Sequence, residues 1–173
     1  MAVLDFTGAL ARLLRDGRLR DGFGVDPGMV VAQFGLKEGD RAALLGLRAE
    51  DLEYQAVILL RKRFDAMRRV IPRTCAELGD ASWPAFLRYA RGYLPEGQPV
   101  ATADAQAFCE HLQSVRPGAV DAREWNQVCF ALSRARWTVR WLHRAGERKR
   151  GCLQILFRLG AGGPQEILLY AGL

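Results

Sequence analysis

The hydrophobic period of this chain changes near residue 135, and that change constrains the fold more than any single residue does. From Asp5 to about Leu132, apolar side chains recur at helical spacing, with Gly and Pro at the intervals. Beyond Arg134 the period drops to two. Trp137, Val139 and Trp141 alternate with Thr138, Arg140 and Leu142; Leu153, Ile155, Phe157 and Leu159 alternate with Gln154, Leu156 and Arg158; Ile167 and Leu169 alternate with Leu168 and Tyr170. Three strands are expected, with turns at Gly146–Gly151 and Gly160–Pro164, and an antiparallel meander is the economical topology. So small a sheet must rest on the helices. The expected fold class is α+β: an N-terminal helical bundle over residues 1–134, then a small C-terminal antiparallel three-stranded sheet over 135–173.

Within the helical part, Asp5 is placed to cap a first helix with the apolar face Phe6, Leu10, Leu13 and Leu14, ending near Asp16-Gly17. Arg20 to Asp26 reads as a turn, and Pro27 opens a small helix through Val30, Val31 and Phe34. A helix follows from Lys37 through Leu44 and Leu45. The longest helix starts at Arg48-Ala-Glu-Asp, with a buried stripe of Leu52, Ala56, Leu59 or Leu60, Phe64 and Met67, and Pro72 ends or bends it. Short helices are expected at Thr74–Leu78, closed by Gly79, and from Ser82 through Tyr93. Pro95–Pro99 reads as a loop, Thr102 as the cap of a helix through Leu112, and Trp125–Leu132 as a last helical segment.

The 173 residues carry a net charge of +6, unevenly placed. Arg134, Arg136, Arg140, Arg144, Arg148, Lys149 and Arg150 face one acid, Glu147, and a second cluster runs from Arg61 to Arg73 around Asp65. Such patches attract phosphates or an acidic partner, or simply form a solvated surface. No apolar run approaches the length of a membrane span, and the first residues lack the basic start and apolar run of a secretion signal, which points to the cytoplasm. Cys75, Cys109, Cys129 and Cys152 form no C-x-x-C pair and are expected as buried thiols. His111 and His143 have no neighbours at metal-ligand spacing, so no metal site and no cofactor are expected. No nucleotide, serine-hydrolase or zincin motif is present, and Gly160-Ala-Gly-Gly lies between strands, where it reads as a turn. A binding module fits better than an autonomous enzyme. A sheet with an accessible edge captures an extended peptide by backbone hydrogen bonds, and the Arg148-Lys149-Arg150 turn could steer an acidic one.

A distributed pattern over residues 5–112 carries a resemblance. It consists of Ala9-Leu-Ala-Arg-Leu-Leu, Val25-Asp-Pro-Gly with Phe34-Gly-Leu, Leu59-Leu-Arg-Lys-Arg, Arg68-Arg-Val-Ile-Pro72, Leu78-Gly79, Phe86-Leu-Arg-Tyr-Ala90 and Ala103-Asp-Ala-Gln-Ala-Phe108. This resembles the MbnC/TglI-type partner subunits of MbnB/TglH-type multinuclear iron oxidases in peptide natural-product biosynthesis. The resemblance implies a noncatalytic subunit of a heterodimer that binds the oxidase and the leader of a ribosomally made precursor whose cysteine is modified. Iron would belong to the partner. It also implies a peptide-docking sheet, for which the candidates are Trp137, Val139, Trp141, Leu153, Ile155 and Phe157, with Arg140 and Arg144 as charge contacts. Two alternatives stay open: a nucleic-acid-binding regulator using the basic clusters, with steeply salt-dependent affinity, and a structural subunit that never touches substrate.

Overall fold

Asp5 and Asp16 set the start of the chain's architecture. The computed structural model describes residues 4–92, 100–143, 151–160 and 163–170. Helix α1 (Phe6–Arg15) begins where the Asp5 carboxylate accepts from Gly8 N at 2.7 Å. Helix α2 (Gly17–Val25) begins where Asp16 accepts from Arg18 N and Leu19 N. The stretch expected as a turn at Arg20–Asp26 is thus mostly helix. Gly22 and Gly24 argue against it locally, but tertiary contacts override that weak propensity. Phe23 is fully buried, and the Arg20 guanidinium ties α2 back to the Leu13 and Leu14 carbonyls at 3.1 and 2.9 Å. Gly17 is required by a close approach: a Cβ there would stand 2.6 Å from the Arg91 carbonyl oxygen, to which Gly17 N donates at 2.9 Å.

The chain divides into two compact units, Met1–Phe64 with Pro84–Leu94, and Asp65–Trp83 with Pro95–Leu173. The first holds α1, α2, α3 (Pro27–Ala32) and α4 (Glu38–Leu45), and most of α5 (Ala49–Met67) and α7 (Ser82–Ala90). Its core gathers Ala9, Leu13, Phe23, Val30, Val31, Phe34, Leu44 and Leu52. Along α5 the buried stripe is Leu52, Ala56, Leu60, Phe64 and Met67, so Leu60 faces inward and Leu59 is left 42% exposed. Phe64 meets Phe86 of α7 with ring centroids 5.3 Å apart. Helix α5 ends at Met67, ahead of Pro72, which instead opens α6 (Pro72–Leu78) as its first residue. Gly79, at φ 55°, closes α6 in a conformation that side-chain-bearing residues avoid.

The second unit adds α8 (Val100–Val115), α9 (Ala122–Leu132) and the strands β1 (Trp137–Leu142), β2 (Cys152–Phe157) and β3 (Gln165–Tyr170). Val100 and Ala101 are already helical, ahead of the expected cap at Thr102. The sheet is the expected antiparallel meander, in the order β1-β2-β3, and the fold is α+β. The expected loop at Pro95–Pro99, Tyr93, and most of the turn at Gly146–Gly151 lie outside the described residues, as do Ala161 and Gly162 of the second turn.

Candidate functional site

Strand register decides which side chains share a face. Trp137 pairs with Phe157, Val139 with Ile155 and Trp141 with Leu153, and β3 continues these rows with Gln165, Ile167 and Leu169. The alternate rows are Thr138–Leu156–Glu166, Arg140–Gln154–Leu168 and Leu142–Cys152–Tyr170. Cys152, Gln154 and Leu156, the buried positions of β2, belong to the second set, and α9 packs on that side. The first set points away from it.

Gln154 anchors the helix side. Fully buried, it donates from Nε2 to the Arg123 carbonyl at 3.1 Å and to Glu166 Oε1 at 2.7 Å, and its Oε1 accepts from Asn126 at 2.9 Å. Arg123 pairs with Glu166 through both Nε and Nη2. Burial alone would raise the Glu166 pKa, but hydrogen bonds from Arg123 and Gln154 outweigh it and hold the carboxyl below its ordinary value. Arg158 fastens the far end, donating to the carbonyls of Phe130, Ala131 and Ala135. The inner face thus buries Leu142, Cys152 and Leu156 together with Gln154, and half-buries Glu166; the hydrogen bonds of this polar pair are satisfied as burial demands.

The outer face is apolar as well. Eight of its nine positions are apolar, and Trp137 is 67% exposed, Trp141 50%, Ile167 46% and Leu169 52%. One-sided antiparallel sheets ordinarily turn polar residues to solvent, and a contiguous apolar patch marks an interaction surface. The Trp141 indole lies against Gly151, where a Cβ would stand 2.5 Å from Cζ2 and 2.9 Å from Cε2. That glycine gives the ring its seat. The outer edges of β1 and β3 have no strand partner among the described residues.

Six of the expected peptide contacts are therefore brought together on the outer face: Trp137, Val139 and Trp141 exposed, and Leu153, Ile155 and Phe157 half-buried. Arg140 is on the opposite face, where it lines a cavity of about 270 Å³ with Thr138, Asn126 and Cys129, and Arg144 lies outside the described residues. Ile167 and Leu169 complete the patch. Their alternation was visible in sequence, but their side of the sheet followed only from the β2–β3 register.

Residues 43–114 are similar to the family described as SCO6045-like, C-terminal domain. The SCO6045-like match spans less than half of the chain and ends before α9 and the sheet. No curated protein and no solved structure matches the chain significantly. Among the described residues no helix is long and apolar enough to cross a membrane, and no group of three or more His, Cys, Asp or Glu is placed to hold a metal ion.

The four cysteines are free thiols. Burial, reinforced by the Glu124 carboxylate, raises Cys109 from the ordinary 9.0 to about 12 and Cys75 to about 11. A thiol raised this far holds almost no thiolate near neutrality. Iodoacetamide at pH 8 should modify the half-buried Cys129 and leave Cys75 and Cys109 unmodified until the protein is unfolded. Mass spectrometry that found Cys109 labelled at the Cys129 rate would contradict this.

Proposed function

We propose that this chain is a noncatalytic partner subunit that binds a multinuclear iron oxidase and presents to it the leader of a ribosomally made precursor peptide for cysteine modification. The observation that carries the reading is the apolar outer face of Trp137, Val139, Trp141, Leu153, Ile155 and Phe157, extended by Ile167 and Leu169. A leader strand added at a free edge would gain a ladder of backbone hydrogen bonds, and the apolar face would take its alternate side chains. The MbnC/TglI-type resemblance over residues 5–112 supports the oxidase as the second partner, with iron held by that enzyme. The complex would work in the cytoplasm, where such precursors are made.

A pull-down of the tagged chain from its native cells, in moderately high salt with nuclease, tests this through mass spectrometry and iron analysis. The expected result is a stoichiometric iron-containing protein. Recovery of no protein, with nucleic acid retained once salt and nuclease are omitted, would overturn the reading in favour of a nucleic-acid-binding regulator using the basic clusters.

A further inference from the structure

A second surface, in the helical unit and independent of the sheet reading, has the chemistry of a docking point. A cavity of about 290 Å³ opens over Leu14, Leu59 and Leu60. Leu59 is the α5 residue left out of the buried stripe and 42% exposed. Cations surround this apolar floor: Arg15 from α1, Arg20 from α2, Lys62 and Arg63 from α5, and Arg91.

Two carboxylates answer part of that charge. Glu53 accepts from Arg20 Nε at 2.8 Å and from Arg91 Nη1 at 3.2 Å, and Asp21 accepts from Arg91 Nη2 at 2.5 Å. Beyond those ion pairs, Arg15 and Lys62 add further positive charge at the mouth. The Arg20 side chain is 3% exposed, and its Nη2 is buried without a hydrogen-bond partner. An unsatisfied buried guanidinium donor is costly and rare, and this one belongs to a residue that lines the cavity.

We propose that this cavity docks an acidic–apolar segment of a partner protein, with one aliphatic side chain entering over Leu14, Leu59 and Leu60 and flanking carboxylates meeting the cationic rim. The apolar floor ringed by cations matches the side-chain pattern of a peptide, an aliphatic residue flanked by carboxylates. The apolar floor decides against a bare phosphate backbone, which would leave the leucines unused.

The test is an NMR titration of the full ¹⁵N-labelled chain with acetylated, amidated Glu-Asp-Leu-Asp-Glu, alongside Gln-Asn-Leu-Asn-Gln, Glu-Asp-Ala-Asp-Glu and inorganic phosphate. Shifts are expected at the amides of Arg15, Leu59, Leu60, Lys62 and Arg63, with affinity falling about tenfold when the central leucine becomes alanine and falling with added salt. Leu59→Glu and Lys62→Glu, both at exposed positions and so compatible with an unchanged melting temperature, should each remove the shifts. Trp141→Glu, on the sheet, should leave them intact. Shifts absent or confined elsewhere overturn the proposal. So does equal binding of the alanine peptide, or full competition by phosphate, either of which makes this an anion site only.

Discussion

Glu124→Ala should destabilise the protein by about 3–5 kcal/mol, because it strands two backbone donors and a hydroxyl that lose a charged acceptor together. The reason lies in how α6 begins. Its capping position is Ile71, which offers no side-chain acceptor, so the first N–H groups of the helix need one from elsewhere. Glu124 of α9, 3% exposed, supplies it: its carboxylate accepts from Arg73 N at 2.6 Å, Thr74 N at 2.8 Å and Thr74 Oγ1 at 2.8 Å. Asp121 closes the arrangement by capping α9 at Glu124 N while its own N–H donates to Thr74 Oγ1. A negative charge at a helix N-terminus is also favoured by the helix dipole. At roughly 2–4 °C per kcal/mol for a chain of this size, the melting temperature should fall by about 6–20 °C. Glu124→Gln keeps one oxygen acceptor and should lose about half as much, and Glu110→Ala, at an exposed position on α8, should change little. Thermal unfolding followed by circular dichroism measures all three, and an alanine variant melting within a degree of the parent would refute the capping role.

That interaction also marks where sequence reasoning ran out. Asp5 announces its helix because its partner, Gly8 N, is three residues away. The partners of Glu124 lie about fifty residues upstream, and no local pattern connects them. The same holds for α2, whose glycines read as a turn until Arg20 is seen reaching back to Leu13 and Leu14 and across to Glu53.

In the sheet, the strands and their order were readable from alternation, but the side that meets the helix was not. In β2 five of six residues are apolar, so its pattern is silent about the inner face. In β1 the pattern is clear and misleading if taken alone, since Trp137, Val139 and Trp141 look like a core stripe and face solvent instead. Gln154, the polar residue of β2, is buried between Cys152 and Leu156, because Arg123, Asn126 and Glu166 satisfy it. A sheet that is apolar on its outer side as well as its inner one makes sense when that outer side is kept for a partner.

Trp141→Glu provides the sharpest test of that partner. Half of the Trp141 surface is buried, in part against Gly151, so the substitution should cost about 1–3 kcal/mol of stability, and binding is measured well below the variant's melting temperature. If the outer face docks the leader, affinity for that peptide should fall roughly 30-fold or more, as for a buried aromatic anchor. Gly151→Val should weaken binding in the same direction without touching the peptide, by evicting the indole from its seat. Arg140→Ala, on the helix side, should have little effect, and so should replacing Arg148, Lys149 and Arg150 with glutamine. A nucleic-acid-binding regulator predicts the opposite ranking: the triple glutamine variant loses most of its affinity, binding falls steeply with salt, and Trp141→Glu matters less. Titrating each variant with the precursor leader and with duplex DNA, at low and moderate salt, separates the two. If precursor modification by the oxidase continues undiminished with Trp141→Glu, the subunit acts on its enzyme alone and the apolar face is not where the peptide docks.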